Sequence, residues 1–361
     1  MHKLLMVAGP TEIEKDILKI GAKPQEYMRT TSYTKVLQEV FSNLQFIFNT
    51  KSPVIMFASS GTGAMEAAVT NFLSTNDTAL FINGGTFGKR WGDILKQNKI
   101  NAIEKTIEFG KSINPQVIEQ ELNNNPKIKA VFATLDETSS GAKTDIKTIA
   151  SLIKERKETI FIVDCVSGLL VEEMQMDKWG IDVAITSSQK AIAIPPGLSF
   201  MAISDKALQF AEKSNLRHFY FDVMEYLKDW KRNQTPFTPP VSLVNQLHAR
   251  LNKIKKEGLE TYKKRYEKNT QLIRTGLKEL GFDVFAENPA SAVTGVYTLK
   301  YDAFEIVTLM REKFNIEIAP SGGERAHSFF RIGNMGNIDH KEIKRMLSSL
   351  RKVIKILEAK R

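Results

Sequence analysis

The chain is nearly devoid of thiols: one cysteine, Cys165, stands among 361 residues. No intrachain disulfide framework can form, which fits a reducing compartment, and the cytoplasm is the default expectation. Histidine is almost as scarce. His2, His218, His248, His327 and His340 show no metal-ligand spacing, so no metal centre is expected. No window is apolar for long enough to span a bilayer as a helix, and no membrane partner is expected. The opening Met1-His2-Lys3-Leu4-Leu5-Met6-Val7 is too short for the apolar region of a signal peptide, and the closing Glu358-Ala359-Lys360-Arg361 matches no targeting signal. Internal repeats and low-complexity tracts are also absent.

What is present reads as an ordinary soluble protein. Hydrophobic residues make up 42% and charged residues 25%, a balance that argues against a disordered chain. The length exceeds one core of common size and points to two domains. A net charge of +10 raises the question of a nucleic-acid partner or an acidic substrate. The charge is dispersed, however. In the densest stretch, Lys253, Lys255, Lys256, Lys263, Lys264 and Arg265 alternate with Glu257, Glu260 and Glu267, as on the wet face of a helix. No nucleic-acid partner is expected.

From about residue 35 to 205, short apolar runs alternate with segments of helical periodicity. Strands are predicted over 52–57, 78–82, 130–134, 159–163, 183–187 and 198–203, and helices over 33–48, 63–73, 89–97, 117–122 and 146–157. This pattern implies an α/β domain around a mostly parallel, buried sheet. The breaker Pro236-Phe237-Thr238-Pro239-Pro240 ends it. A long helix is predicted over 242–280. Strands at 292–299, 316–319 and 329–332 and helices at 303–314 and 340–359 then form a smaller α+β domain. The division is placed at residue 254, giving domains of 1–254 and 255–361.

Three stretches carry chemistry, each where a predicted strand ends and open α/β sheets place ligands. Ser59-Ser60-Gly61-Thr62-Gly63 follows a strand and opens a helix. Its backbone can approach a phosphate and present helix N-terminal amides, although a plain glycine turn has the same look and the Gly-Lys-Thr ending of a Walker loop is missing. Ile160-Phe161-Ile162-Val163-Asp164 ends an apolar strand in a carboxylate. Such an aspartate can hold a metal, a ribose or a protonated ring nitrogen, or merely cap a turn. Thr186-Ser187-Ser188-Gln189-Lys190 puts a lysine just after a buried strand. A desolvated lysine has a lowered pKa and suits Schiff-base chemistry; the plain alternative is a side chain that snorkels to water.

Phosphate cradle, ring-nitrogen partner and imine lysine, in this chain order, resemble the class V aminotransferases of the fold-type I pyridoxal-phosphate enzymes, specifically the alanine–glyoxylate and serine–pyruvate group. The resemblance runs almost end to end. It includes Ala8-Gly9-Pro10-Thr11-Glu12, Ser60-Gly61-Thr62-Gly63-Ala64-Met65-Glu66-Ala67, Asn83-Gly84-Gly85-Thr86-Phe87-Gly88 and Glu137-Thr138-Ser139-Ser140-Gly141. It continues through Val163-Asp164, Ser187-Ser188-Gln189-Lys190, Pro195-Pro196-Gly197, Gln234-Thr235-Pro236 and Arg331-Ile332-Gly333.

The resemblance implies pyridoxal 5'-phosphate as cofactor and a role for each matching residue. Lys190 would form the Schiff base and move the substrate's α-proton, and Asp164 would pair with the ring nitrogen. Ser60, Gly61, Thr62 and Gln189 would hold the phosphate. Thr235 would reach the phosphate of a partner subunit, implying a homodimer with shared active sites. Phe87 would stack on the ring and Thr138 would lie near its phenolic oxygen. Arg331 would bind the substrate carboxylate, with Gly9 at the mouth of the site.

The implied reaction is ping-pong transfer from alanine or serine to glyoxylate or pyruvate. A second possibility is a 2-aminoethylphosphonate–pyruvate aminotransferase. A desulfurase would need a mobile cysteine, which Cys165, next to Asp164, does not suggest. A nucleic-acid-binding protein on the same scaffold would have no need of Lys190, Asp164 and Arg331. There are departures: Leu135 and Asp136 stand where the family often has His and Asn or Gly, Ser140 replaces a commoner Thr, and Arg232 stands where some relatives carry Tyr. Arg232, or Arg29, could accommodate a second anionic group on the substrate.

Overall fold

The computed structural model describes residues 3–360, so His2, Met1 and Arg361 lie outside the described residues. Its strands in chain order are β1 (Leu4–Met6), β2 (Val54–Phe57), β3 (Thr78–Asn83), β4 (Asn101–Thr106), β5 (Ile128–Thr134), β6 (Asp136–Glu137), β7 (Ala142–Lys143), β8 (Ile160–Asp164), β9 (Val183–Ser187), β10 (Ser199–Ile203), β11 (Val293–Tyr297), β12 (Ile316–Pro320) and β13 (Phe329–Gly333).

Seven of them form the central sheet, in the order β2-β10-β9-β8-β5-β3-β4. Neighbours pair in parallel from β9 to β4, whereas β10 runs antiparallel to both β9 and β2. Only β10 is therefore reversed, and the other strands all end at the same edge. The apolar runs follow from burial on both faces. Val54, Met56, Phe161, Val163, Ala184 and Phe200 point into one core, while Ile55, Phe57, Ile160, Ile162, Ile185 and Met201 point into the other. The α/β architecture with a mostly parallel sheet is as expected.

A second sheet has the order β1-β12-β13-β11. Its core joins Leu4 and Met6 to Ile318, Phe330, Ile332 and the apolar stripe of helix His340–Glu358. The chain's first strand thus belongs to this sheet, paired in parallel with β12 at Leu4 and Ile316.

Three expectations needed correction. The predicted helix over 242–280 is two helices, Val241–Glu257 and Leu259–Glu279, broken at Gly258, whose φ of 83° and ψ of 144° no helix accommodates. The helix predicted to reach 157 stops at Ile153. Strand β4 was not foreseen, because as a solvated sheet edge it has no buried run: every second residue is exposed.

Gly333, at the end of β13, packs directly against the backbone that follows β1. A Cβ there would lie 2.3 Å from the Val7 carbonyl carbon and oxygen, which are backbone atoms and cannot swing aside. Replacing Gly333 with Ala is expected to destabilise the protein by about 2 kcal/mol through overpacking, measured by urea unfolding. An unchanged midpoint would contradict this close approach.

Candidate active site

The site forms at the C-terminal ends of the parallel strands. Asp164 ends β8, and Lys190 follows β9 by a short turn. The turn 60–62 follows β2, and residues 86–88 follow β3. Parallel pairing aligns these ends, so residues far apart in sequence converge.

Lys190 is 9% exposed. Its Nζ donates to the Ala8 carbonyl at 2.5 Å and lies 5.9 Å from the centroid of the Phe87 ring. Burial pulls the Lys190 pKa down to about 8 against the opposing pull of Asp164, while Arg331 and Arg90 also lower it. Asp164 is 3% exposed and accepts a hydrogen bond from the Val166 amide at 2.8 Å. Burial pushes its carboxyl up to about 6; the Val166 bond opposes, Glu137 raises it further, and Lys190 and Arg90 lower it.

The start of the chain closes over the lysine. At Gly9, φ is 123° and a Cβ would lie 2.7 Å from Lys190 Cδ. Thr11 donates through its amide to the Gln189 carbonyl at 3.2 Å and through its hydroxyl to the Lys190 carbonyl at 2.9 Å.

The turn at Ser60-Gly61-Thr62 opens helix Gly61–Phe72, and Ser60 makes no side-chain cap bond. The Ser187 hydroxyl and Gln189 Oε1 are buried and have no hydrogen-bond partner among the described residues. A Cβ on Gly61 would come within 3.4 Å of the Ser187 hydroxyl. Thr62 Oγ1 accepts from Arg90 Nη1 at 2.9 Å, and the Arg90 guanidinium sits 4.8 Å from the Phe87 ring centroid.

Glu137 fixes the opposite wall. Its carboxylate accepts from the amides of Phe87, Gly88 and Ser139, which holds the start of helix Thr86–Gln97 in place. The Thr138 hydroxyl bonds that of Ser167 at 2.8 Å. Arg331 on β13 donates through Nη1 to the Thr138 carbonyl at 3.1 Å and through Nη2 to the Pro320 carbonyl at 2.6 Å, leaving Nε buried and unpartnered. Burial lowers its pKa.

The structure thus gathers Lys190, Asp164, Gly9, Phe87, Thr138 and Arg331 with the turn at 60–62 and Gln189. Thr235 stands elsewhere: its hydroxyl donates to the Phe237 carbonyl at 2.8 Å, and its own carbonyl accepts from Arg29 at 2.9 Å. Arg29 also donates to Gln234 at 2.8 Å, and Arg232 is paired with Asp229, so both suggested extra cations have partners in the chain. Cys165 is fully buried and burial pushes its thiol up, which does not suit a mobile nucleophile. The Asp136 carboxylate is buried without a hydrogen-bond partner, and burial and the nearby Glu172 raise its pKa well above the usual range. Residue-by-residue reading missed Arg90, Thr11 and the Ala8 carbonyl. Only the position of Arg90 one helical turn after Phe87 could have signalled any of them.

Asp164 holds its proton to higher pH in the folded protein than in the unfolded chain. Its favourable contribution is therefore complete below the unfolded value of 3.8 and lost as pH rises through about 6. In the cofactor-free protein, Asp164→Asn is expected to raise stability by about 2–3 kcal/mol at pH 7, with the gain shrinking toward pH 4. Urea unfolding at the two pH values checks this, and a gain that does not change with pH would contradict it.

The class-V aminotransferase profile matches residues 19–346. The chain is 36% identical over 355 residues to a soluble hydrogenase 42 kDa subunit of Anabaena cylindrica, covering 97% of this chain and 93% of that one. It is 30% identical to the serine–glyoxylate aminotransferase of Arabidopsis thaliana, covering 97% and 90%. Among solved structures, the subgroup IV aspartate aminotransferase of Thermus thermophilus superposes with a TM-score of 0.90 at 26% identity, covering 98% of this chain and 99% of that one. The residues present fit pyridoxal phosphate: an uncapped helix start with the orphaned Ser187 hydroxyl to donate to a phosphate, a buried carboxylate for a ring nitrogen and a desolvated amine for an aldehyde. On profile, relatives and fold together, the chain belongs to the class-V aminotransferases and is a pyridoxal-phosphate-dependent enzyme of fold type I.

Proposed function

We propose that the enzyme transfers an amino group from a small amino acid, alanine or serine, to a small 2-oxo acid, glyoxylate or pyruvate, in a ping-pong sequence. The observation that carries this reading is the desolvated Lys190 amine, hydrogen-bonded to the Ala8 carbonyl and close enough to Asp164 to feel its charge, with Arg331 approaching from the second sheet. The relative named for serine and glyoxylate supports the choice of substrates. A small donor is also favoured because Arg232 is neutralised by Asp229 and Arg29 is turned toward Gln234 and the Thr235 carbonyl.

When bound, pyridoxal phosphate supplies an aldehyde that takes up the amino group and a ring that accepts electron density from the substrate Cα. Lys190 Nζ would hold the cofactor and, once released, carry the proton away from Cα. A pKa of about 8 keeps a useful share of this amine neutral near physiological pH. Asp164 would place its charge against the ring nitrogen and keep that nitrogen protonated. The helix amides at Gly61 and Thr62, with Ser60 and Gln189, would hold the phosphate. Phe87 would cover one face of the ring, and Thr138 would lie near its phenolic oxygen.

Arg331 would grip the substrate carboxylate through donors that the Thr138 and Pro320 carbonyls leave free, fixing the direction of the Cα–H bond. Gly9 would leave the mouth open, since a side chain there would strike Lys190. The division into domains of 1–254 and 255–361 belongs to the same reading, with β1 adding the chain's start to the smaller sheet. So does a homodimer with shared sites. Thr235 would serve a partner's phosphate by turning its hydroxyl off the Phe237 carbonyl, and Phe219 and Tyr27 are exposed at 82% and 69%.

Two measurements test the substrate assignment. Mixing the cofactor-loaded enzyme with alanine or serine is expected to convert its absorbance to that of the pyridoxamine form, and glyoxylate to restore it. Faster conversion by 2-aminoethylphosphonate than by either amino acid would overturn the assignment. Arg331→Gln is expected to lower kcat/KM for alanine about a hundredfold, chiefly through KM, because a charge-assisted bidentate contact is lost. A KM that stays put would place the carboxylate elsewhere.

A further inference from the structure

The phosphate end of the site poses a charge problem. A phosphate monoester carries close to two negative charges at neutral pH. The turn that would receive it offers amides and hydroxyls, none of them charged, and Lys190 is committed to the aldehyde. Among the described residues, one cation is hydrogen-bonded to this turn: Arg90, through Nη1 to Thr62 Oγ1 at 2.9 Å.

Three observations make this contact more than incidental. No carboxylate among the described residues lies within ion-pair distance of Arg90, so its charge is not neutralised within the chain as those of Arg232, Arg250 and Arg311 are. Its guanidinium is held 4.8 Å from the Phe87 ring centroid, so its position is fixed on two sides. Its charge also reaches the reacting groups, lowering the pKa of both Lys190 and Asp164. A second feature points to an anion at the same spot: the fully buried Ser187 hydroxyl, without a partner, faces the Gly61 backbone at the start of the helix.

We infer that Arg90 supplies the positive charge of the phosphate subsite, acting through Thr62 as a positioning residue for the turn. The inference rests on the proposed cofactor placement. Arg90 orients the Thr62 hydroxyl by donating to its oxygen, which leaves the hydroxyl hydrogen free to point at a phosphate oxygen. The guanidinium meanwhile offsets the dianion across a short, partly desolvated path. The arrangement separates two tasks: Phe87 would recognise the ring, and Arg90 the charge.

The test compares two probes that differ only in the phosphate. Full-length enzyme is loaded with pyridoxal phosphate or with pyridoxal, and affinity and release are followed by absorbance. Arg90→Gln keeps a donor for Thr62 and removes the charge; Arg90→Met removes both; Arg90→Lys restores the charge. The neutral variants are expected to bind pyridoxal phosphate about tenfold to a hundredfold more weakly than wild type, while their affinity for pyridoxal changes by less than about threefold. Arg90→Lys is expected to recover part of the loss. Equal losses for both probes would mean that Arg90 acts on the ring through Phe87, and no loss for either would mean that it carries no such charge; each overturns the inference. If Arg90→Met does not fold, Arg90→Gln is decisive by itself. A wild-type enzyme that retains pyridoxal phosphate yet transaminates neither alanine nor serine would sink the substrate reading and leave this comparison intact.

Discussion

A buried amine and a buried carboxylate, carried on the ends of adjacent strands, are the constraint on which the rest of the site depends. Lys190 and Asp164 are 9% and 3% exposed. Each is pushed toward its neutral form by burial and pulled back toward its charged form by the other. Without a ligand each group carries a desolvation cost that the other only partly offsets. An electron-withdrawing ring with a protonated nitrogen and an aldehyde relieves both at once. The parallel pairing of β8 with β9 makes the arrangement possible, because parallel strands bring their ends to the same edge.

The smaller sheet is tied to that pair by hydrogen bonds between side chains and backbone carbonyls. Strand β1 pairs with β12, and the residues after it supply the Ala8 carbonyl to Lys190 and the Thr11 hydroxyl to the following peptide. Gly333 packs against Val7 two residues after Arg331, so the strand that would hold the substrate and the segment that holds the lysine move as neighbours. On the far side, Arg250 and Tyr262 donate to the carbonyls of Ile192 and Ala191, which fixes the loop leaving the lysine. These two residues lie on the helices either side of Gly258, linking the break to the catalytic loop.

The central sheet was legible because its strands are buried on both faces and read as continuous apolar runs. The edge strand Asn101–Thr106 was not, since its solvent-facing residues dilute that signal. The break at Gly258 was hidden inside a helical pattern, where a glycine alone does not reveal its dihedral angles. At the site, Lys190, Asp164 and the turn at 60–62 could be read because each sits next to a strong local pattern. Arg90 and Thr11 could not, since their meaning lies in contacts with Thr62, Phe87 and Lys190 that only the folded chain creates. Arg29 and Arg232 failed in the opposite direction: their charges drew attention in the sequence, but the fold gives each an ordinary partner.

The most direct measurement reduces the cofactor-loaded enzyme with borohydride, digests it and locates the modified lysine by mass spectrometry. The account predicts one pyridoxyl group per chain, on Lys190, with none incorporated by the Lys190→Ala variant. A pyridoxyl group on any other lysine, or equal labelling of that variant, would contradict it.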